Sequence, residues 1–174
     1  MAPSGIDATA PHLTWDDSPL QKGESTCFEI AGAHKRYQCP QSRTLFLGNP
    51  SQKFLDAEHA VLEAIEAGLE QAKPGNCCED IANAFNQTLN RLGFEKDSRC
   101  GYAIGISYPP DWGERSASIR SEDTTVLEPG MVFHFMPALW MDTWGLETTE
   151  TILIAEDGPA QPLCNVDRKL FVKD

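Results

Sequence analysis

The run Phe28-Glu29-Ile30-Ala31-Gly32 places one carboxylate in an otherwise apolar stretch. In a strand that side chain points either to solvent or into an enclosed cavity. If inward, loss of water raises its pKa and makes it a base or nucleophile. His12 stands in Ala10-Pro11-His12-Leu13-Thr14-Trp15, between a proline and an aromatic residue. Histidine titrates near neutral pH, so it is either an acid–base catalyst or an ordinary surface residue of a loop. Residues 102–114 bring Tyr102, Tyr108 and Trp112 together around two prolines, and on composition alone form a structured loop. His134 lies between Phe133 and Phe135, and Trp140 and Trp144 flank Asp142. An aromatic-lined pocket with few charges suits a small cation, although core packing uses the same residues. Glu147 and Glu150 sit among threonines and aliphatics, where strand alternation sends at least one to solvent.

These side chains need elements to position them. The stretch to Gly23, with Pro3, Pro11 and Pro19 and no apolar period, reads as loop. Ser25 to Ala33 and Arg43 to Leu47 read as strands, with a turn-rich segment from His34 to Ser42 between them. From Ser51, Phe54, Val61, Ile65 and Leu69 recur at helical spacing until Pro74-Gly75. A second amphipathic helix starts near Cys78, with Ile81, Phe85, Leu89 and Leu92 on one face and Gly93 as its C-terminal cap. Tyr102 to Tyr108, Val132 to Trp140 and Glu147 to Ala155 complete the strands. Strands, two helices and strands again give an α+β class.

At 174 residues the chain builds one ordinary core, hence one domain over 1–174. Its formal net charge of -12 repels nucleic-acid phosphates and anionic membrane surfaces. No apolar run approaches the roughly 20 residues of a membrane span, and the opening residues lack a secretory pattern, so a cytoplasmic location is expected. Cys27, Cys39, Cys77, Cys78, Cys100 and Cys164 show neither metal-ligand spacing nor the density of a disulfide scaffold, and read as reduced thiols.

Longer motifs go further. Pro3-Ser4-Gly5-x-x-Ala8-x-x-Pro11-His12, Gly23-Glu24, Ser42-Arg43-Thr44 and Pro129-Gly130-Met131 resemble successive landmarks of the creatinase/aminopeptidase P superfamily, almost end to end. The 101–114 stretch, Phe133-His-Phe-Met-Pro137 and Leu163-Cys-Asn-Val-x-Arg-Lys-Leu-Phe171 are similar to its ectoine hydrolase branch. The resemblance implies a partial pita-bread fold, a curved antiparallel-rich sheet with two main helices between strand blocks. It also implies that the N-terminal domain and the start of the catalytic domain are lacking.

Metallopeptidases of that superfamily hold two divalent ions with two Asp, one His and two Glu. Carried over by position, these fall at Glu29, Pro40, Tyr102, Met136 and, last, Thr149 or Glu150, of which Glu150 is preferred. Proline offers no side-chain donor and methionine only a soft thioether, so no metal and no other cofactor is expected. What remains implied is a metal-independent hydrolase opening the cyclic amidine of ectoine or hydroxyectoine. Glu29 attacks the amidinium carbon or directs water onto it, His12 shuttles protons to the ring nitrogen, and Glu150 joins them as a catalytic carboxylate. Tyr102, Tyr108, Trp112, His134, Trp140 and Glu147 are the implied substrate-binding residues, and a homodimer the implied assembly. The alternatives are an inactive or truncated paralogue that binds a solute or partner, and a metal-dependent Xaa-Pro peptidase.

Overall fold

A computed structural model describes residues 1–108 and 110–174, so Pro109 of the 101–114 motif lies outside the described residues. The chain forms β1 (Ser25–His34), β2 (Tyr37–Leu47), α1 (Gln52–Gln71), α2 (Cys78–Arg91), β3 (Gly101–Ile104), β4 (Gly113–Ile119), β5 (Val132–Phe135), β6 (Ala138–Trp140), β7 (Gly145–Glu147), β8 (Glu150–Leu153), β9 (Gln161–Pro162) and β10 (Phe171–Lys173). They make a sheet β1-β2-β10, a sheet β4-β3-β5-β8-β9 and a ribbon β6-β7. Among the described residues only β2 and β10 pair in parallel.

Both helices follow their apolar period. Ser51 caps α1 by accepting from the Phe54 N–H, and the Asp80 carboxylate takes the Cys77 N–H at the start of α2. Ile81, Phe85 and Leu89 of α2 are buried with Ala57, Val61, Ala64 and Ile65 of α1. Beneath them, Phe133 and Phe135 of β5 enter the same core, Phe135 meeting Phe85 edge-on at 6.0 Å. Alternation along β5 therefore sends His134 to the opposite face.

Three sequence expectations change. The segment His34–Ser42 is mostly strand, because β1 and β2 continue into a tight hairpin whose turn, Lys35-Arg36, takes φ of 49° and 72°. Two consecutive left-handed residues are what a short hairpin turn needs, but they usually advertise themselves as Asn-Gly. The opening stretch holds a 3-10 helix, Gly5–Thr9, packed so closely on β7 that a Cβ at Gly145 would collide with the Ala8 carbonyl. The third change concerns Glu147 and Glu150, which are 8% and 2% exposed, so neither faces solvent. Thr148 and Thr149 lie between β7 and β8 and break the alternation that sends one of them out.

Strand β2 is stitched to β7 and β8 by hydroxyls rather than a continuous ladder. Thr44 Oγ1 donates to the Glu147 carbonyl and accepts the Glu147 N–H, at 2.9 and 2.8 Å. Thr149 Oγ1 accepts the Ser42 N–H at 2.7 Å, and Thr151 Oγ1 donates to the Pro40 carbonyl at 2.7 Å. This seam between β2 and β8 carries the site.

Candidate active site

In β1 the usual polarity is inverted. Phe28 and Ile30 are 42% and 69% exposed, whereas Glu29 between them is 6% exposed. Glu29 thus points into the seam, where burial and then the charge of Glu147 push its carboxyl up to about 7. Its Oε1 lies 3.9 Å from His134 Nε2, beyond hydrogen-bond reach. Burial also raises the Glu147 carboxyl. Opposing it are the Ser42 hydroxyl and Trp140 indole N–H, which approach without meeting hydrogen-bond geometry and have no other partner among the described residues.

His134 is fully buried and is pulled down to about 3, first by burial and then by the charges of Arg99 and His12. It stays a neutral imidazole at any ordinary pH. Its Nδ1 meets the Tyr102 hydroxyl at 3.0 Å and its Nε2 meets Thr149 Oγ1 at 2.8 Å. Trp112 Nε1 donates to the Tyr102 hydroxyl at 2.9 Å, and the Arg99 guanidinium lies 4.4 Å over the Tyr102 ring. Burial pushes the Tyr102 phenol up to about 12, so it keeps its proton.

Tyr102 and Trp112 also line a cavity of about 410 Å³ with His12, Arg99 and Asp111. His12 is exposed there and held at φ 69°, a left-handed conformation that costs a non-glycine residue of order 1 kcal/mol or more. A larger groove of about 790 Å³, lined by Gly32, Tyr37, Ile104, Val132 and Leu163 among others, is mostly apolar and contains none of the candidate residues.

Glu29, Glu147, His134, Tyr102 and Trp112 are thus brought together, with His12 at the outer edge. Two residues stand apart. Tyr108 is 69% exposed and accepts from Arg36 at 2.7 Å beside the hairpin turn. Glu150 turns to Arg43, whose Nη2 donates to it at 2.5 Å, while its neighbour Thr149 reaches His134. Trp140 faces the cluster through its indole N–H, but Lys96 Nζ sits 4.2 Å over its ring. Burial pulls that amine down to about 8. Sequence reasoning missed Ser42, Lys96 and Arg99 as members of this neighbourhood. Only Ser42 and Arg99 carried a signal, as parts or neighbours of the quoted motifs.

The positions where a dinuclear metal centre would bind do not fit one. Pro40 contributes its carbonyl to Thr151, the Tyr102 hydroxyl is engaged by Trp112 and His134, Met136 offers only a thioether, and Glu150 is bound by Arg43. Among the described residues, no group of three His, Cys, Asp or Glu side chains is arranged to hold an ion. No described helix is long and apolar enough to cross a membrane. All six cysteines are free, although Cys39 and Cys164 bring their sulfurs to 3.7 Å.

The chain is 60% identical over 174 residues to ectoine hydrolase of Halomonas elongata, covering 99% of this chain and 43% of that relative. It is 26% identical to a Xaa-Pro dipeptidase of Pyrococcus furiosus, covering 97% of the chain and 47% of the relative. Dipeptidase PepE from Mycobacterium ulcerans superposes with a TM-score of 0.90 at 23% identity, over 99% of this chain and 46% of that one. A dipeptidase structure from Pyrococcus horikoshii also gives 0.90, at 20% identity, over 99% of this chain and 48% of that one. The fold is therefore the pita-bread fold, covered in part, and the chain spans less than half the length of the relatives it matches. The model of metallopeptidase family M24 matches residues 1–156, and with nine-tenths of its length inside that match the chain belongs to family M24.

Proposed function

We propose that this chain is the catalytic part of a hydrolase that opens the cyclic amidine ring of ectoine or hydroxyectoine to an N-acetyl-diaminobutyrate, without a metal ion. One observation carries the reading. Glu29 and Glu147 are both buried, the charge of Glu147 raises the Glu29 carboxyl further, and neither forms an ion pair with a lysine or arginine among the described residues, the Met1 ammonium and, for Glu147, Lys96 offsetting the burial only in part. An uncompensated buried carboxylate is expensive, and a cationic ligand removes that cost. An amidinium brings the missing charge and is its own electrophile, so the site needs no Lewis acid. The likeness to the Halomonas elongata ectoine hydrolase supports this substrate class.

In this reading Glu29 either attacks the amidinium carbon, forming an adduct that water cleaves after the ring opens to free Glu29 and supply the acetyl oxygen, or takes a proton from a water that attacks in its place. A proton then reaches the ring nitrogen as the carbon–nitrogen bond breaks, supplied from the His12 side. Glu147 and the aromatic side chains Tyr102 and Trp112 hold the cation. Glu150, neutralised by Arg43, holds the frame. The homodimer implied by the resemblance is part of the proposal and is checked by light scattering.

The test is to incubate the protein that carries this chain with ectoine, with and without a chelator, and to follow acetyl-diaminobutyrate by NMR. Ring opening insensitive to chelator is the expected outcome. Stoichiometric metal with chelator-sensitive cleavage of Xaa-Pro dipeptides would return the chain to the peptidases. Tight binding without turnover would make it a solute-binding module.

A further inference from the structure

The hydrogen bonds through His134 form a chain with both ends fixed. At one end the Trp112 indole N–H can only donate, so the Tyr102 oxygen must accept from it. At the other, the Ser42 backbone N–H can only donate, so Thr149 Oγ1 must accept there. Between them Tyr102, a neutral His134 and Thr149 share two hydrogen bonds but own three hydrogens. One hydrogen is therefore left over, and the tautomer of His134 decides where it sits.

If Nε2 carries the proton, Thr149 accepts from both His134 and Ser42. Its own hydroxyl hydrogen then points into the interior at a residue 0% exposed, with no third partner among the described residues. A buried donor without an acceptor costs about 1–3 kcal/mol. If Nδ1 carries the proton, Thr149 donates to Nε2, His134 donates to Tyr102, and Thr149 and His134 are both satisfied. The spare hydrogen is then on the Tyr102 hydroxyl, and Tyr102 lines the cavity that also holds His12.

We infer that Tyr102 is a hydrogen-bond donor to the ligand and that His134 is its positioning residue, locked as the neutral Nδ1–H tautomer by Thr149. This deepens the proposed function and rests on it for the identity of the ligand. Amidinium nitrogens offer no lone pair. Once the amidinium carbon is attacked, both ring nitrogens gain one: the departing nitrogen uses its own to take the proton from the His12 side, and the other gives the Tyr102 O–H an acceptor that exists only past the ground state. In this assignment His134 acts through Tyr102, where the sequence reading placed it among the substrate-binding residues.

The assignment is read without substrate. In protein labelled with ¹⁵N-histidine, the resonances lost in His134→Asn identify this ring. They should show a protonated Nδ1 and a pyridine-like Nε2, unchanged between pH 5 and pH 8. Thr149→Ser keeps the hydroxyl and should keep Nδ1–H, whereas Thr149→Val removes donor and acceptor together and should release the lock, so that both tautomers are populated. Kinetically, Tyr102→Phe and Thr149→Val should each lower kcat by about 10²-fold with KM little changed, and the double variant should be no worse than either alone. If His134→Asn does not fold, the two Thr149 variants still decide the matter. A wild-type Nε2–H tautomer, an imidazolium, or Thr149→Val at full rate overturns the inference even if ectoine is opened. Failure to open ectoine with the Nδ1–H tautomer intact overturns the substrate reading and leaves the hydrogen-bond order standing.

Discussion

Glu29 and Glu150 are the same residue type, both in strands and both nearly without solvent, yet they meet opposite surroundings. Around Glu150, Arg43 donates to the carboxylate and to the Thr149, Val166 and Asp167 carbonyls, and Arg168 Nε lies 4.0 Å away. Burial pushes that carboxyl up and the two guanidinium groups pull it back. Around Glu29 the nearby ring is an imidazole that cannot charge, the nearby acid is Glu147, and the opposing charge is the Met1 ammonium, which donates to the Glu29 backbone carbonyl rather than to its carboxylate. A buried carboxylate with its counter-ion in the chain holds the fold together. One without it waits for a cation from outside.

The contrast predicts a ranked set of effects. On the Glu29 side, His12→Asn should lower turnover by on the order of 10²–10⁴ while leaving the melting curve nearly unchanged, because asparagine tolerates the left-handed backbone that histidine adopts there. A rate within a factor of a few of the parent would make His12 a surface residue. On the Glu150 side, Arg43→Met should cost about 3–5 kcal/mol in urea unfolding, by stranding a buried charge. Arg43→Met combined with Glu150→Leu should recover part of that loss, and a single variant as stable as the parent would deny the frame its keystone.

Smaller effects separate the sites by pH. The Glu29 carboxyl is raised in the folded state to about 7, from about 4.5. Its contribution to stability is therefore complete below pH 4.5 and is lost as pH rises through 7. Glu29→Gln should gain stability over the parent across that window, by up to about 2–3 kcal/mol at pH 8, while losing turnover. A difference that stays flat with pH would mean that Glu29 is not desolvated. His134 has the opposite sign, its contribution being present above about pH 6.5 and lost as pH falls toward 3. Least of all, Ile30→Thr, on the solvent face next to Glu29, should change stability by less than about 0.5 kcal/mol. A larger cost would show that something covers that face in solution.

Both helices, their C-terminal ends at Pro74-Gly75 and Gly93 and the α+β class were open to sequence reasoning, because Phe54 to Leu69 and Ile81 to Leu89 follow a local period that burial then obeys. The Lys35-Arg36 turn was not, since neither residue type signals a positive φ. Sequence likewise nominated Tyr102 and Trp112, and the structure sets them against one another through the Tyr102 hydroxyl. It nominated Tyr108 with equal force, yet that ring lies on Arg36. Composition cannot distinguish an aromatic residue facing a cavity from one four to six positions away that does not.

What the sequence determined by itself is that a carboxylate stands in an apolar strand, that two amphipathic helices lie between blocks of strands, and that Pro40 and Met136 stand at two of the positions the resemblance gives to metal ligands. These are properties of single positions or short periods. Only the tertiary structure decided which way each carboxylate faces and what stands opposite it. Glu29, Tyr102, His134 and Thr149 lie on four separate segments, and Arg43 is 107 residues from Glu150 in sequence. The energy that makes one glutamate structural and the other reactive comes from the partner across the seam, and no local pattern in the chain encodes that partner.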